Sequence, residues 1–300
     1  MTDDFNLNGP ASESSPDQRG EGPAAAGPNE TPGPPEPLPS ARVPEDLRVP
    51  WSWLDVALFL IVAVGSLFLW SLVVGFGLGI TAAARGMKLA EVSDQPTVRT
   101  AVLLAQQVLW YGTLLLYLLL TIRVSRQAPF WRTLGWRPVT LLGRPPALAY
   151  VVWTFAGMAL AVIIQVAMRF IGPKTGLPIE QFFRTRASVW MMMVMALFVA
   201  PLVEEVIFRG YFYPVLARTF GVLGGVLVTG LAFGLMHAAQ LWGGWGQISL
   251  LVVAGTVFTA VRARTGSIAA SYFLHLGYNF LIFLTLYAAS DGFRRLPGAN

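Results

Sequence analysis

The 300-residue chain is 55% hydrophobic and 12% charged, with a mean hydropathy of +0.58. A soluble domain is about 25% charged, so composition argues against an ordinary soluble fold and for a membrane protein. With no cysteine the chain has no disulfide, thiolate metal ligand or cysteine nucleophile, and it holds no recognisable nucleic-acid-binding module.

Residues 1–50 carry 11 of the 21 prolines, nine of the 16 acids and three of the 21 bases. They cannot bury enough apolar surface to offset the entropy of ordering, which predicts a disordered Pro-rich tail. It lacks the basic start and apolar core of a signal peptide. Residues 51–300 hold seven acids and 18 bases, and the arginines between the apolar runs suit anionic lipid headgroups.

Trp51 and Trp53 mark a membrane interface. Val56 to Ala84 is free of Asp, Glu, Lys and Arg over 29 residues, more than the ~20 needed to span a bilayer. A first transmembrane helix is expected near 54–82. Within it Gly75 and Gly79 have the four-residue spacing of a close helix approach or a bend. Thr100 to Ile122 is a second span. A loop with Arg123, Arg126, Arg132, Arg137 and Arg144 follows, and its Trp131 and Trp136 suit a segment lying on the headgroups. Pro145 to Met168 is a third span, which completes an N-terminal membrane part over 51–175.

Gln181 to Phe183 suits a short interfacial helix within a polar stretch. A fourth span begins at Ala187 and runs through Glu204 and Glu205 past Arg209. From Thr219 to Val261 only His237 can ionise, and Gly243, Gly244 and Gly246 divide this run into spans near 222–239 and 247–262. Thr265 to Ser290 is the seventh, and residues 291–300 form a short tail. The expected fold is therefore all-α: a polytopic helix bundle of about seven to eight transmembrane helices, with the polar motifs in 176–290. The positive-inside rule puts the five-arginine loop and the N-terminal tail on the cytoplasmic side.

The chemistry-bearing residues are scarce. His237 and His275 are the only histidines, and Asn279 is the only asparagine between Asn29 and Asn300. Ionisable groups among apolar helices are costly, which makes them candidates for function. In a helix, Glu205 and Arg209 are four apart and face each other, whereas Glu204 points about 100° away. That gives one paired carboxylate and one free to face a cavity. His237 follows Phe233 by four residues, and His275 and Asn279 share a face of the last span.

Two chemistries fit. Glu204 with a nearby histidine can deprotonate a water while a histidine and Asn279 donate to a developing oxyanion, which amounts to amide hydrolysis. Alternatively Glu204, His237 and His275 are ligands of one divalent metal such as zinc, with an open position for water. His-Glu-x-x-His, Gly-x-Ser-x-Gly and a phosphate-binding Gly-x-x-x-x-Gly-Lys loop are all absent. Two further classes are a non-catalytic membrane binding or immunity-type protein and a proton-coupled transporter. No inverted repeat between the halves supports a transporter.

Three stretches, Glu204-Glu205-Val-Ile-Phe-Arg209, Phe233-Gly-Leu-Met-His237 and His275-Leu-Gly-Tyr-Asn279, resemble the motifs of the CPBP intramembrane proteases. This family joins type II CAAX prenyl endopeptidases with bacteriocin-processing and immunity-associated proteins. The resemblance covers roughly residues 185–285. It implies a helical membrane endopeptidase acting on a membrane-associated protein or peptide, in the cytoplasmic membrane if the source is bacterial. It implies that Glu204, aided by His237, activates water, that His275 and Asn279 hold the oxyanion, and that Glu205, Arg209 and Phe233 support the site. Family members have been described both as metal-dependent and as metal-free glutamate proteases, and commonly have about eight membrane helices.

Overall fold

The computed structural model describes residues 44–141, 143–172 and 174–296. Most of the predicted tail, residues 1–43, lies outside the described residues. Helices come in the order α1 (Trp53–Ala84), α2 (Leu89–Ser93), α3 (Pro96–Leu119), α4 (Phe130–Leu134), α5 (Pro146–Ile171), α6 (Arg186–Val194), α7 (Ala200–Glu204), α8 (Tyr213–Met236), α9 (Trp245–Thr265) and α10 (Ile268–Ala289). No β-strand occurs among the described residues.

The helix starts follow local chemistry. The backbone N–H of Ser52 donates to Asp55 Oδ2 at 2.8 Å, as in a capping box. Pro96 and Pro146 open α3 and α5, where a missing N–H costs nothing. Thr185 Oγ1 accepts the Ser188 N–H at 3.2 Å at the start of α6. The expected interfacial turn is a 3₁₀ segment, Pro178–Phe183.

Among the described residues six helices are long and apolar enough to cross a membrane, which makes this an integral membrane protein. The fourth of them runs 51 residues, Arg186–Met236, through α6, α7 and α8. It is broken at Gly221, whose φ of 73° and ψ of 167° are not helical. Counting the two limbs separately recovers the seven segments read from the sequence.

Three pairings organise the bundle. α8 and α9 form an antiparallel hairpin, α5 lies against α10, and α1 lies against α3. Gly157 on α5 and Gly277 on α10 allow the second crossing, because a Cβ at either would meet backbone of the other helix, Leu274 O and Thr154 O. The α1–α3 pair is tied by polar rungs, Trp70 Nε1 to Thr113 Oγ1 at 2.9 Å, Gln106 Nε2 to Ser71 Oγ at 2.8 Å and Trp110 Nε1 to Ala63 O at 2.8 Å. Such side-chain bonds take the place of a hydrophobic drive between helices in lipid.

The tail prediction extended too far. Residues 44–50 pack onto the bundle, with Leu47 and Val49 buried. Asp46 Oδ2 accepts from Arg262 Nη1 at 2.8 Å, and the Arg218 guanidinium donates to Val49 O at 3.2 Å and Trp51 O at 2.7 Å. The proline content hid these three polar anchors.

Candidate active site

The long fourth helix does not keep α geometry through the motif. It widens into π-type turns at Met195–Val199 and Glu205–Phe212. Each stretch ends two residues before a proline, Pro201 and Pro214. A proline has no N–H for the carbonyl four residues back and its ring crowds that carbonyl, so wider turns before it relieve the conflict. Wide turns of this kind gather at functional positions.

Glu205 and Arg209 are both fully buried and form an ion pair at 3.0 Å. Arg209 also donates from Nη2 to Gly255 O at 2.8 Å and from Nε to Thr259 Oγ1 at 3.2 Å. Its guanidinium lies 4.5 Å from the centroid of the Phe233 ring. All sides of the cation are thus answered, as a buried charge requires. The same Glu205 Oε1 meets His275 Nδ1 at 3.1 Å. A carboxylate accepts, so Nδ1 carries the proton and Nε2 is presented to the cavity. The sequence paired Glu205 with Arg209 alone; its second role, orienting His275, comes from the packing of α10.

Glu204 is buried and lines a cavity of about 190 Å³ with His237, His275 and Asn279. Its Oε2 stands 3.8 Å from His275 Nε2, too far for a hydrogen bond and close enough for one oxygen atom to bridge the two. Its Oε1 accepts from Tyr111 Oη at 3.2 Å. His237 Nδ1 is 2.9 Å from Phe233 O, an acceptor, so this ring too offers Nε2. Asn279 Nδ2 donates to Ala196 O at 2.8 Å, which fixes the amide and leaves its second N–H. Ala196 lies in the first wide stretch. Phe233 also lines the cavity, with its ring 5.0 Å from that of His237 and 5.6 Å from that of His275.

The predicted residues therefore come together in two layers. Glu204, His237, His275 and Asn279 face the space, with Glu205 and Arg209 behind them. Among the described residues no group of three His, Asp or Glu side chains is placed to hold a metal ion. Glu204, His237 and His275, the candidate metal ligands, line the same cavity.

Sequence reading missed the contribution of α3. Gln107 and Tyr111 line the cavity from a helix with no motif. The available signal was two polar residues four apart in a charge-free run. At the rim, Ile179 N donates to Gln240 O at 3.0 Å, joining the 3₁₀ segment to the turn after α8.

Fold and site together define a helical integral membrane protein with a buried carboxylate–imidazole–amide cluster. Residues 186–281 match the family described as Type II CAAX prenyl endopeptidase Rce1-like. That stretch contains every motif residue, so the part of the chain that carries the site is similar to the CAAX protease-like family. Comparison with curated proteins and with solved structures gives no match.

Proposed function

We propose that the chain is an intramembrane endopeptidase that hydrolyses a peptide bond in a membrane-associated protein or peptide. The observation that carries this reading is the geometry of Glu204. One carboxylate oxygen is taken by Tyr111, and the other looks across 3.8 Å to His275 Nε2 in a cavity that His237 and Asn279 also line. A water held by Glu204 Oε2 attacks the scissile carbonyl carbon and gives its proton to that carboxylate, a general-base step in which His237 assists. The carbonyl oxygen gains negative charge and is met by the free N–H of Asn279 and by the His275 ring. Glu204 then returns the proton to the leaving amine as the C–N bond breaks. Arg209 and Glu205 hold the His275 ring throughout.

The family match to CAAX prenyl endopeptidases supports a substrate that ends near the bilayer surface, and the apolar walls of the cavity, among them Leu103, Met192 and Leu251, suit aliphatic side chains. We place the enzyme in a bacterial cytoplasmic membrane with the N-terminal tail on the cytoplasmic side, a reading supported by the arginine-rich loops.

The test compares the membrane proteomes of cells carrying the wild-type chain and Glu204→Gln. Glutamine keeps the size but cannot take the proton, so cleavage should fall about a hundredfold to ten-thousandfold and uncut substrates should accumulate. A Glu204→Gln chain that processes the same proteins at the wild-type rate overturns the reading.

A further inference from the structure

Helix α3 lies wholly before the matched stretch of 186–281 and carries none of the motif residues, yet it reaches the reacting carboxylate. Tyr111 is buried, and its hydroxyl is 3.2 Å from Glu204 Oε1. This is the one hydrogen bond that the Glu204 side chain makes among the described residues. An ionised carboxylate only accepts, so the phenol donates.

Tyr111 and Glu204 also form the wall between two spaces. One is the polar cavity described above. The other, of about 250 Å³, is lined by Phe59, Leu114, Ile207, Phe208 and Ala232 as well as by the two wall residues. That second lining is apolar, and its one other side-chain donor, Trp110 Nε1, is already bonded to Ala63 O, which leaves Tyr111 to serve the carboxylate. Without the phenol, Oε1 would be a buried acceptor with no partner, and the flexible glutamate side chain would have no bond to fix which oxygen faces His275. The phenol is itself held firmly. The neighbouring Trp110 ring stacks on it with centroids 5.7 Å apart, and the Trp110 indole is anchored to Ala63 O on α1.

We propose that Tyr111 is a positioning residue: its hydroxyl holds Glu204 Oε1 at the wall between the cavities, so that Oε2 stays aimed at the water site beside His275. The proposal rests on the peptidase reading and extends the site beyond the motif helices to α3. It makes the lipid-facing α1–α3 pair part of the catalytic geometry.

The test uses the full chain in lipid nanodiscs and the variant Tyr111→Phe, which keeps the ring, its stacking and both cavity walls. Infrared difference spectra of wild type against Glu204→Gln assign the Glu204 carboxylate band. In Tyr111→Phe that band should shift, and a band at the wild-type position overturns the proposal whatever the chain's activity. The second readout is kinetic. It uses an internally quenched peptide built on a cleavage site found in the Glu204→Gln comparison. Loss of a hydrogen bond to a charged group predicts a fall in kcat of about tenfold to a hundredfold, with KM within about twofold because substrate contacts are kept. An unchanged kcat, or a loss confined to KM, overturns it. If Glu204→Gln itself remains active, the peptidase reading fails instead, and the infrared band still reports on the Tyr111 contact.

Discussion

The first three membrane helices and the last three are alike in composition and unlike in burial. Windows of α1, α3 and α5 have mean hydropathies of 2.6, 1.6 and 2.2, and those of the Arg186–Met236 helix, α9 and α10 have 2.1, 1.5 and 1.4. The buried shares are 22, 17 and 22% in the first set and 50, 44 and 50% in the second. Lipid is as apolar as a leucine side chain, so hydropathy does not decide which helices lie inside a membrane protein. Polar groups that need partners, and glycines that let backbones meet, decide it. The C-terminal set has both, and forms an inner body around Arg209. The N-terminal set is an outer layer that meets the site through α3, where Gln107 and Tyr111 line the cavity.

The largest stability effect expected from this division is at Arg209. Removing the guanidinium in Arg209→Ala leaves Glu205 buried beside His275 with no cation, and frees Gly255 O and Thr259 Oγ1. Breaking one side of a buried pair costs about 3–5 kcal/mol. Denaturant unfolding in detergent micelles should show that loss. A change below about 1 kcal/mol, the range of exposed pairs, would mean that the inner body is not built around this charge.

A middle-sized effect belongs to the α5–α10 crossing, the place where outer layer and inner body touch backbone to backbone. In Gly277→Ala the added methyl meets Thr154 O, a backbone atom that cannot rotate away. Forcing a group into such a contact costs about 1–3 kcal/mol. Gly157→Ala, which meets Leu274 O from the other side, should cost a similar amount. The double variant should cost less than the sum, because one displacement of the helices relieves both contacts. Thermal unfolding of the two single variants and the double variant measures this, and full additivity would argue against a shared crossing.

The sequence made the spans and the four cavity residues legible for one reason: charge-free runs and rare polar residues are one-dimensional signals. Glu204, His237, His275 and Asn279 stand out because their residue types are rare in the apolar runs that hold them. Three features were hidden because they depend on what packs where. Proline-driven widening before Pro201 and Pro214 changes which carbonyls are free, so the Asn279–Ala196 bond cannot be read from an ideal helix. Tyr111 is an ordinary aromatic in an apolar run until α3 brings it to Glu204. Residues 44–50 look like more of a proline-rich tail, and only the partners Arg218 and Arg262 show that they are bound.

Gly75 and Gly79 give the smallest effect and the most direct comparison. By spacing they are a close-approach site as good as any in the chain, yet no atom lies within 4 Å of a Cβ built on either, nor on Gly77 between them. Elsewhere glycines do meet another helix's backbone: Gly157 and Gly277 at the α5–α10 crossing, and on α8 the pair Gly230 and Gly234, which has the same four-residue spacing and meets Thr256 and Val252 of α9. A helical glycine with open space around it only adds backbone freedom to be lost on folding, so alanine there should stabilise by up to about 1 kcal/mol. Gly75→Ala and Gly277→Ala are the same chemical change on two apolar membrane helices, and they should move the unfolding midpoint in opposite directions. If Gly75→Ala destabilised instead, something must pack on that face of α1, and the outer layer would have a partner surface in the membrane.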